Sequence, residues 1–323
     1  MVSRLSLSHP DNLRIVITII GYRSQGESVI FRIVDGGTTK YCLVVDCYKL
    51  KGRNVTFEFL RDKYQVSHIN MLCWSHPHID HSRGLAELMT AFCDDKTEYI
   101  LPAHFYNMPG VDLVTIRDKQ EKDAVDEIFN VNKRTKLSAT NVEVKAQNNN
   151  QLESFCLISP GMEPLQVGIY ALTPISSILG NSVKSGEHDI NPNDLSVSLL
   201  IDICGYRVFL GADAIAKHIA EIDTSMLDGC KFVKIPHHGS STSEELLRFL
   251  PTSIDISCST VYHIKGDLPE KGIIDKYKER GVVYCTGGYV KSNRHSGVAE
   301  FDIALGGDVI EYNITCYNTA KKL

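Results

Sequence analysis

The 323-residue sequence has no apolar run long enough to cross a bilayer. Its most apolar stretch, Ile15 to Ile20, falls far short of the roughly 20 residues a spanning helix needs. No apolar leader follows Met1, where the chain turns polar at Ser8-His9-Pro10-Asp11-Asn12. No CxxC pair occurs among the ten scattered cysteines, so they read as reduced, mostly buried thiols of a cytoplasmic protein. Nor is there an excess of positive charge. A formal net charge of -5 argues against coating nucleic acid non-specifically, which rests on many Lys/Arg–phosphate contacts. It does not exclude a nuclease whose local positive charge comes from metal ions. No repeat or low-complexity tract divides the chain. With 43% hydrophobic residues it can bury its own core, and one domain over 1–323 is expected, with a helical or loop insertion around 112–150.

What the sequence has in abundance is alternation of strand-like and helix-like segments. Arg14–Ile20, Ser28–Val34 and Tyr41–Val45 are rich in β-branched residues and bounded by turn residues, which predicts three opening strands. Val55–Lys63 and Gly84–Phe92 pattern as helices around a buried strand, His68–Trp74, with Tyr99–Pro102 a further strand. Asp112 to Lys136 is charged with apolar residues at helical spacing, which predicts a surface helix. Thr140–Gln151 reads as a loop or hairpin, and Ser176–Asn193 as a loop. The remainder predicts strands at Leu152–Ile158, Gln166–Leu172, Leu195–Ile203, Tyr206–Leu210, Lys231–Ile235, Ile254–Cys258, Val282–Cys285, Gly297–Ile303 and Val309–Ile314. Helices are expected at Ala214–Ile222, Glu244–Leu250 and Glu270–Arg280. Interleaved strands and helices with β-rich ends suit an α/β fold of two sheets packed face to face with helices outside.

The chemical signal is the run His76-Pro77-His78-Ile79-Asp80-His81. Four metal-capable side chains lie within six residues, after an apolar strand and before a helix. Imidazole and carboxylate together suit zinc, iron or manganese. Chance histidine enrichment of a polar loop is the bland alternative.

The run resembles the HxHxDH signature of the metallo-β-lactamase superfamily, and three further blocks follow in the family's order. Gly21–Ser28 with Val44-Val45-Asp46 resembles its opening turn and strand. Phe209-Leu210-Gly211-Ala212-Asp213 resembles the strand ending in a bridging aspartate. Lys234-Ile235-Pro236-His237-His238-Gly239-Ser240 resembles the strand ending in the last ligand histidine. The fold implied is the αββα sandwich of two mixed sheets. The finer resemblance is to the metallohydrolase domain of competence-protein (DNA-uptake channel) type, through the Pro-His-His-Gly-Ser block, Asn193-Asp194-Leu195-Ser196, and an echo in Ser257-Cys258-Ser259 to His263. There are departures. His78 stands where that subgroup often has Asp, Ala212 replaces a Gly, and Asn193 sits where the lactamases have a third histidine, for which His188 is a candidate substitute.

The resemblance implies two divalent ions, Zn or Mn. His76 and His78 would serve one, Asp80 and His81 the other, with Asp213 bridging and His238 completing the second. A water between two such ions loses its proton near neutral pH and attacks as hydroxide. Asp80, His237 and His263 are the expected catalytic groups. His237 would touch the substrate phosphate or protonate the leaving oxygen, with an orienting role as the alternative. Ser240, Asn193 and His188 are the expected substrate contacts. Asp46 is expected to order the metal-loop backbone. His104 is read as a surface histidine, and His218 as solvent-facing on its helix. Ser241 with Glu244 fits a helix-capping box. Lys265, Lys271, Lys276, Lys278, Arg280, Lys291 and Arg294 could form a phosphate-tracking rim, although a solvated face explains them as simply.

The function expected is metal-dependent hydrolysis, by a nuclease or phosphodiesterase acting on DNA or RNA. A small cyclic or signalling nucleotide is an alternative substrate, as is a lactone, thioester or β-lactam, because fold alone does not choose chemistry. A non-catalytic binding module would have no reason to keep Asp80, Asp213 and His238. The partner expected is a nucleic acid or nucleotide substrate and no membrane. A stand-alone nuclease would need restriction, as in defence against foreign DNA, by a protein partner or homodimer that no residue names.

Overall fold

The computed structural model describes residues 3–22, 25–102, 118–184, 191–263, 267–287, 296–305 and 310–323. Two mixed sheets dominate. The first runs Glu311–Tyr317, Gly297–Ala304, Leu13–Tyr22, Gly26–Asp35, Thr38–Val45, Met71–Cys73, Glu98–Pro102 and Ala139–Val142. The second runs Ser3–Ser6, Asn150–Ile158, Leu165–Ala171, Leu199–Ile203, Tyr206–Leu210, Cys230–Lys234, Ile256–Ser259, Val282–Cys285 and Lys321–Lys322.

Both strand faces are buried, which explains why the opening strands read as almost continuous apolar runs. Side chains alternate across a strand. Val29, Phe31 and Ile33 therefore enter the core between the sheets, where they meet Val167, Ile169, Ile201 and Val208 of the opposite sheet. Ile30 and Val44 point outward, into a second core with Leu85, Leu88 and Met89 of the helix Leu85–Phe92. The outer face of the second sheet carries Leu200, Phe209 and Val233, covered by Leu246, Ile274 and Tyr277. The result is the four-layered αββα arrangement that the alternating pattern predicts.

Each sheet contains a parallel section. Thr38–Val45, Met71–Cys73 and Glu98–Pro102 run together in the first. Tyr206–Leu210, Cys230–Lys234, Ile256–Ser259 and Val282–Cys285 run together in the second. Parallel strands deliver their following loops to one edge, which is where open α/β sheets build sites.

Several expected elements differ. The helix within 112–136 is Lys119–Thr135, capped by Asp118, whose carboxylate accepts from Gln120 N and Glu121 N. It buries Val125, Ile128 and Val131 in the second core rather than lying loose on the surface. Thr140–Gln151 is not all loop, because Ala139–Val142 pairs in parallel with Glu98–Pro102. The expected loop 176–193 contains the helix Ser176–Lys184, anchored by buried Ile175 and Leu179 that its polar average hides. Glu244–Leu250 is not an α-helix but part of a 3-10 stretch, Ser241–Arg248. The capping box is absent there: Glu270 Oε1 accepts from Ser241 N, and Glu244 pairs with Lys276.

Candidate metal centre

The first half of the site is built where Thr38–Val45 and Met71–Cys73 end. Asp46 has a left-handed backbone, φ +58°. Its carboxylate accepts from Ser75 N at 2.7 Å, Ser75 Oγ at 2.5 Å and His81 Nδ1 at 2.7 Å. One wholly buried group therefore fixes both ends of the histidine loop. Ser75, having given its proton to Asp46, accepts from His76 Nδ1 at 2.9 Å. Both imidazoles are left with Nε2 facing inward. The loop closes through Trp74 Nε1, which donates to Ser82 Oγ, which donates to the His78 carbonyl. It leaves the site through Gly84 at φ +106°, where an added Cβ would stand 2.8 Å from Lys49 Cβ and 3.2 Å from Cys47 Sγ. Glycine is required there on both counts.

The second half hangs from Tyr206–Leu210 and Cys230–Lys234. Ser196 Oγ accepts from Asp213 N at 2.9 Å, which gives the Asn193–Ser196 block its place. Ala212, His237 and His238 all adopt positive φ, +41°, +47° and +52°. Three such residues in one site are costly for non-glycine side chains, and strain of this kind gathers where function demands a geometry. The successive left-handed turns splay the adjacent imidazoles, whose centroids are 6.5 Å apart.

Around Asp213 the donors fall into two groups. Oδ2 faces His76 Nε2 at 3.9 Å and His237 Nε2 at 4.0 Å, and His78 Nδ1 lies 3.0 Å from His76 Nε2. Oδ1 faces His81 Nε2 at 3.5 Å and His238 Nε2 at 3.6 Å. Asp80 Oδ2 lies 3.6 Å from the former and 3.4 Å from the latter. Two donors bound to a tetrahedral ion at about 2.1 Å stand roughly 3.4 Å apart, so these spacings suit an ion in each group. Three of the converging atoms, His81 Nε2, Asp213 Oδ1 and His238 Nε2, are buried without a hydrogen-bond partner. Buried polar atoms are rarely left so, and a cation answers all three at once. His76, His78 and Asp213 form one candidate ligand set, and Asp80, His81 and His238 another.

The electrostatics agree with a cation site. Burial works against the charge on Asp213, yet the surrounding histidines, His238 and His81 foremost, hold its carboxyl well below the usual range. Asp80 is lowered too, with burial opposed by His81 and His238. For His81, burial again opposes, but Asp213, Asp80 and Asp46 lift the imidazole to about 10. His76 is pushed well below its ordinary value by burial and by the charge of its neighbours His81 and His78. In the ion-free protein a proton on His81 thus stands among three carboxylates, where a metal ion would otherwise stand.

The other expected residues are placed as follows. Ser240 Oγ and Thr242 Oγ1 hydrogen-bond His237 Nδ1 at 3.0 and 2.9 Å, and Asn193 Nδ2 lies 3.2 Å from His237 Nε2. His263 Nδ1 lies 3.6 Å from Asp267 Oδ1. The ring stacked on His238 belongs instead to its neighbour Tyr262, at 5.1 Å. His218 is buried, not solvent-facing: its Nδ1 accepts from Ile175 N and its Nε2 lies 3.5 Å from Asp194. His104, His188, Lys265, Lys291 and Arg294 lie outside the described residues. The remaining basic side chains of that run are already engaged. Lys271 and Lys278 pair with Asp275, Lys276 with Glu244, and Arg280 donates to the Leu250 and Pro251 carbonyls.

Sequence reasoning missed Glu27, Lys234, Thr260 and Tyr262. Lys234 carried a usable signal, being a cation that follows the apolar Phe232 and Val233 and runs into the histidine pair. Nothing in the spacing marks the other three.

No family model matches the chain, and no curated protein is significantly similar to it. Among solved structures it is similar to a protein of Parabacteroides distasonis provisionally named a metal-dependent hydrolase. The identity is 11%, covering 85% of this chain and 94% of that one, with a TM-score of 0.43. That is a loose likeness of fold, and the chemistry rests on the residues.

Proposed function

We propose that the protein is a metal-dependent hydrolase of phosphodiester bonds, with nucleic acid as its substrate. The observation that carries the metal reading is the sharing of Asp213, each of whose carboxylate oxygens faces a separate group of histidines. The phosphodiester reading is supported by the resemblance of the Pro-His-His-Gly-Ser and Asn-x-x-Ser blocks to the DNA-uptake type. Divalent ions held there would supply Lewis acidity, neutralise phosphate oxygens and lower the pKa of water.

The chain's own residues then have distinct tasks. His76, His78 and Asp213 would hold one ion, and Asp80, His81, His238 and Asp213 the other. His237 is half-buried, and burial holds its imidazole below its ordinary pKa. It is therefore neutral at pH 7. With Nδ1 engaged by Ser240 and Thr242, its Nε2 faces the Asp213 Oδ2 side of the site. There it can steer an oxygen of the substrate but carries no proton to spare as a cationic acid. Asn193 Nδ2 is a neighbouring donor suited to a phosphate oxygen. The stacked ring of Tyr262 walls the site beside His238.

The test is metal analysis of the purified chain, with cleavage assays on single- and double-stranded DNA, RNA and cyclic dinucleotides beside Asp80→Ala and Asp213→Ala. The expected result is up to two ions per chain and nucleic-acid cleavage that falls by about 1,000-fold or more in both variants, equivalent to several kcal/mol of transition-state stabilisation. Cleavage of cyclic dinucleotides alone would move the substrate to small nucleotides. Bound metal without any phosphodiester cleavage would favour a lactone or thioester. A folded chain that takes up no zinc or manganese would overturn the reading.

A further inference from the structure

Directly behind the second group of donors lies an ion pair sealed from solvent. Lys234 is 0% exposed and Glu27 is 2% exposed, and they face each other with Nζ against Oε1. Taking two charges out of water is costly, so a wholly buried pair is poor material for stability alone. It is held by more than mutual attraction. Lys234 Nζ also donates to the Ala212 carbonyl at 3.0 Å. The other oxygen of Glu27 accepts from Thr260 Oγ1, and His238 Nδ1 stands 2.8 Å from that same hydroxyl.

The polarity of this chain is fixed by counting protons. Thr260 has one hydroxyl proton and gives it to Glu27, a carboxylate paired with an ammonium. Its oxygen can then only accept from His238, so the His238 proton sits on Nδ1. Nε2 is left as a lone pair, 3.4 Å from Asp80 Oδ2 and 3.6 Å from Asp213 Oδ1. At its other end, Lys234 grips the peptide immediately before Asp213, at the residue whose backbone is left-handed with φ +41°. The Ala212 carbonyl also accepts from His237 N at 2.8 Å, which ties both strand-end loops to the same oxygen.

We propose that Lys234 and Glu27 are positioning residues that set the second metal site, fixing the His238 tautomer through Thr260 and the Asp213 loop through Ala212. This inference rests on the metal reading above. It assigns work to three side chains, Lys234, Glu27 and Thr260, to which the sequence alone gave no role. The Lys234 ammonium bonds the Asp213 loop directly through the Ala212 carbonyl and reaches His238 through Glu27 and Thr260, so one ammonium group bears on both. Outer partners of this kind typically change metal affinity by about 10- to 100-fold when removed.

The test titrates the metal-free chain with zinc against a chromophoric chelator, resolving the two binding steps, and melts each metal-free protein in parallel. Thr260→Val should weaken the weaker or the tighter step that Asp80→Ala also weakens, by about 10- to 100-fold, and leave the other step unchanged. Thr260→Ser, which keeps the hydroxyl, should restore it. Lys234→Met should weaken both steps, because Asp213 serves both. Lys234→Met with Glu27→Gln should lose less than the sum of the singles, since no unpaired buried charge remains. A merely structural role would lower the metal-free melting temperature without separating the two steps or responding to the serine. Should Lys234→Met fail to fold, the threonine pair still decides. Wild-type zinc binding in folded Thr260→Val and Glu27→Gln would overturn the proposal. Absence of zinc binding in the wild-type chain would overturn the metal reading itself, which is a separate failure.

Discussion

Asp46 Oδ2 accepts from His81 Nδ1 at 2.7 Å while Asp46 Oδ1 accepts from the Ser75 N–H at 2.7 Å. One carboxylate thus aims a metal-capable imidazole and pins the backbone from which the loop departs. Asp46→Asn should keep part of the second bond and lose the first as an ionic contact. We expect it to weaken zinc binding by about 10- to 100-fold, measured by chelator competition, with the circular dichroism spectrum unchanged. Zinc binding equal to wild type would show that His81 needs no such partner.

Protons and metal compete for His81. Its imidazole is raised to about 10 in the folded, ion-free chain, from an ordinary value of 6.5. A raised group contributes stability that is fully present below pH 6.5 and is lost as pH climbs toward 10. Metal-free protein should accordingly lose stability across that window. Zinc affinity should rise across the same window, by about tenfold per pH unit, because each ion must displace the proton. Calorimetry in buffers of different ionisation enthalpy would count that proton. Affinity flat between pH 7 and 9 would contradict a protonated His81.

Trp74 is the sole tryptophan, it is fully buried, and its Nε1 donates to Ser82 within the histidine loop. Its fluorescence should therefore report on that loop. Adding a chelator to loaded protein should change Trp74 emission and lower the melting temperature together. Ligand at 100 times Kd stabilises by about 2.7 kcal/mol, equivalent to roughly 4 °C in a domain of this size. Emission and melting that ignore the chelator would separate the loop from the metal.

Two substitutions of one methyl group should act in opposite directions. Gly84→Ala places a Cβ against Lys49 and Cys47 at φ +106° and should cost roughly 1–3 kcal/mol. Ala212→Gly relieves a left-handed alanine and should leave stability equal or higher by about 0.5 kcal/mol, the relief being offset by a more flexible unfolded chain. Urea denaturation of both variants checks the signs, and a loss on Ala212→Gly would mean that the Ala212 methyl packs usefully.

The opening strands were legible because burial on both faces writes a continuous apolar run, and Tyr206–Leu210 and Val282–Cys285 were legible to the residue. The helix Ser176–Lys184 was not, since its anchors Ile175, Ile178 and Leu179 sit at the head of a run to residue 193 that is otherwise dominated by Ser, Gly and Asn. In the site, short-range spacing exposed 76–81 and the histidine pair. The contact of Glu27 with Lys234 joins residues far apart in the chain, and no local pattern carries it. His218 was misjudged for a related reason. Its buried contacts, with Ile175 and Asp194, come from elsewhere in the chain, while its own neighbours on the helix suggest an exposed face.

The site draws from both ends of the polypeptide. Glu27, Asp46 and the 76–81 loop come early, and Asp213, His238 and Thr260 come late, with a late strand, Gly297–Ala304, pairing beside Leu13–Tyr22. During synthesis the early donors therefore emerge long before Asp213 and His238, with which they converge. A growing chain carries half of the candidate centre, with His81 and Asp46 already able to pair but without Asp213 between the two groups of donors. Both groups of donors are complete only once His238 has been made, and any truncation before it leaves a fragment that lacks the last histidine of the second group.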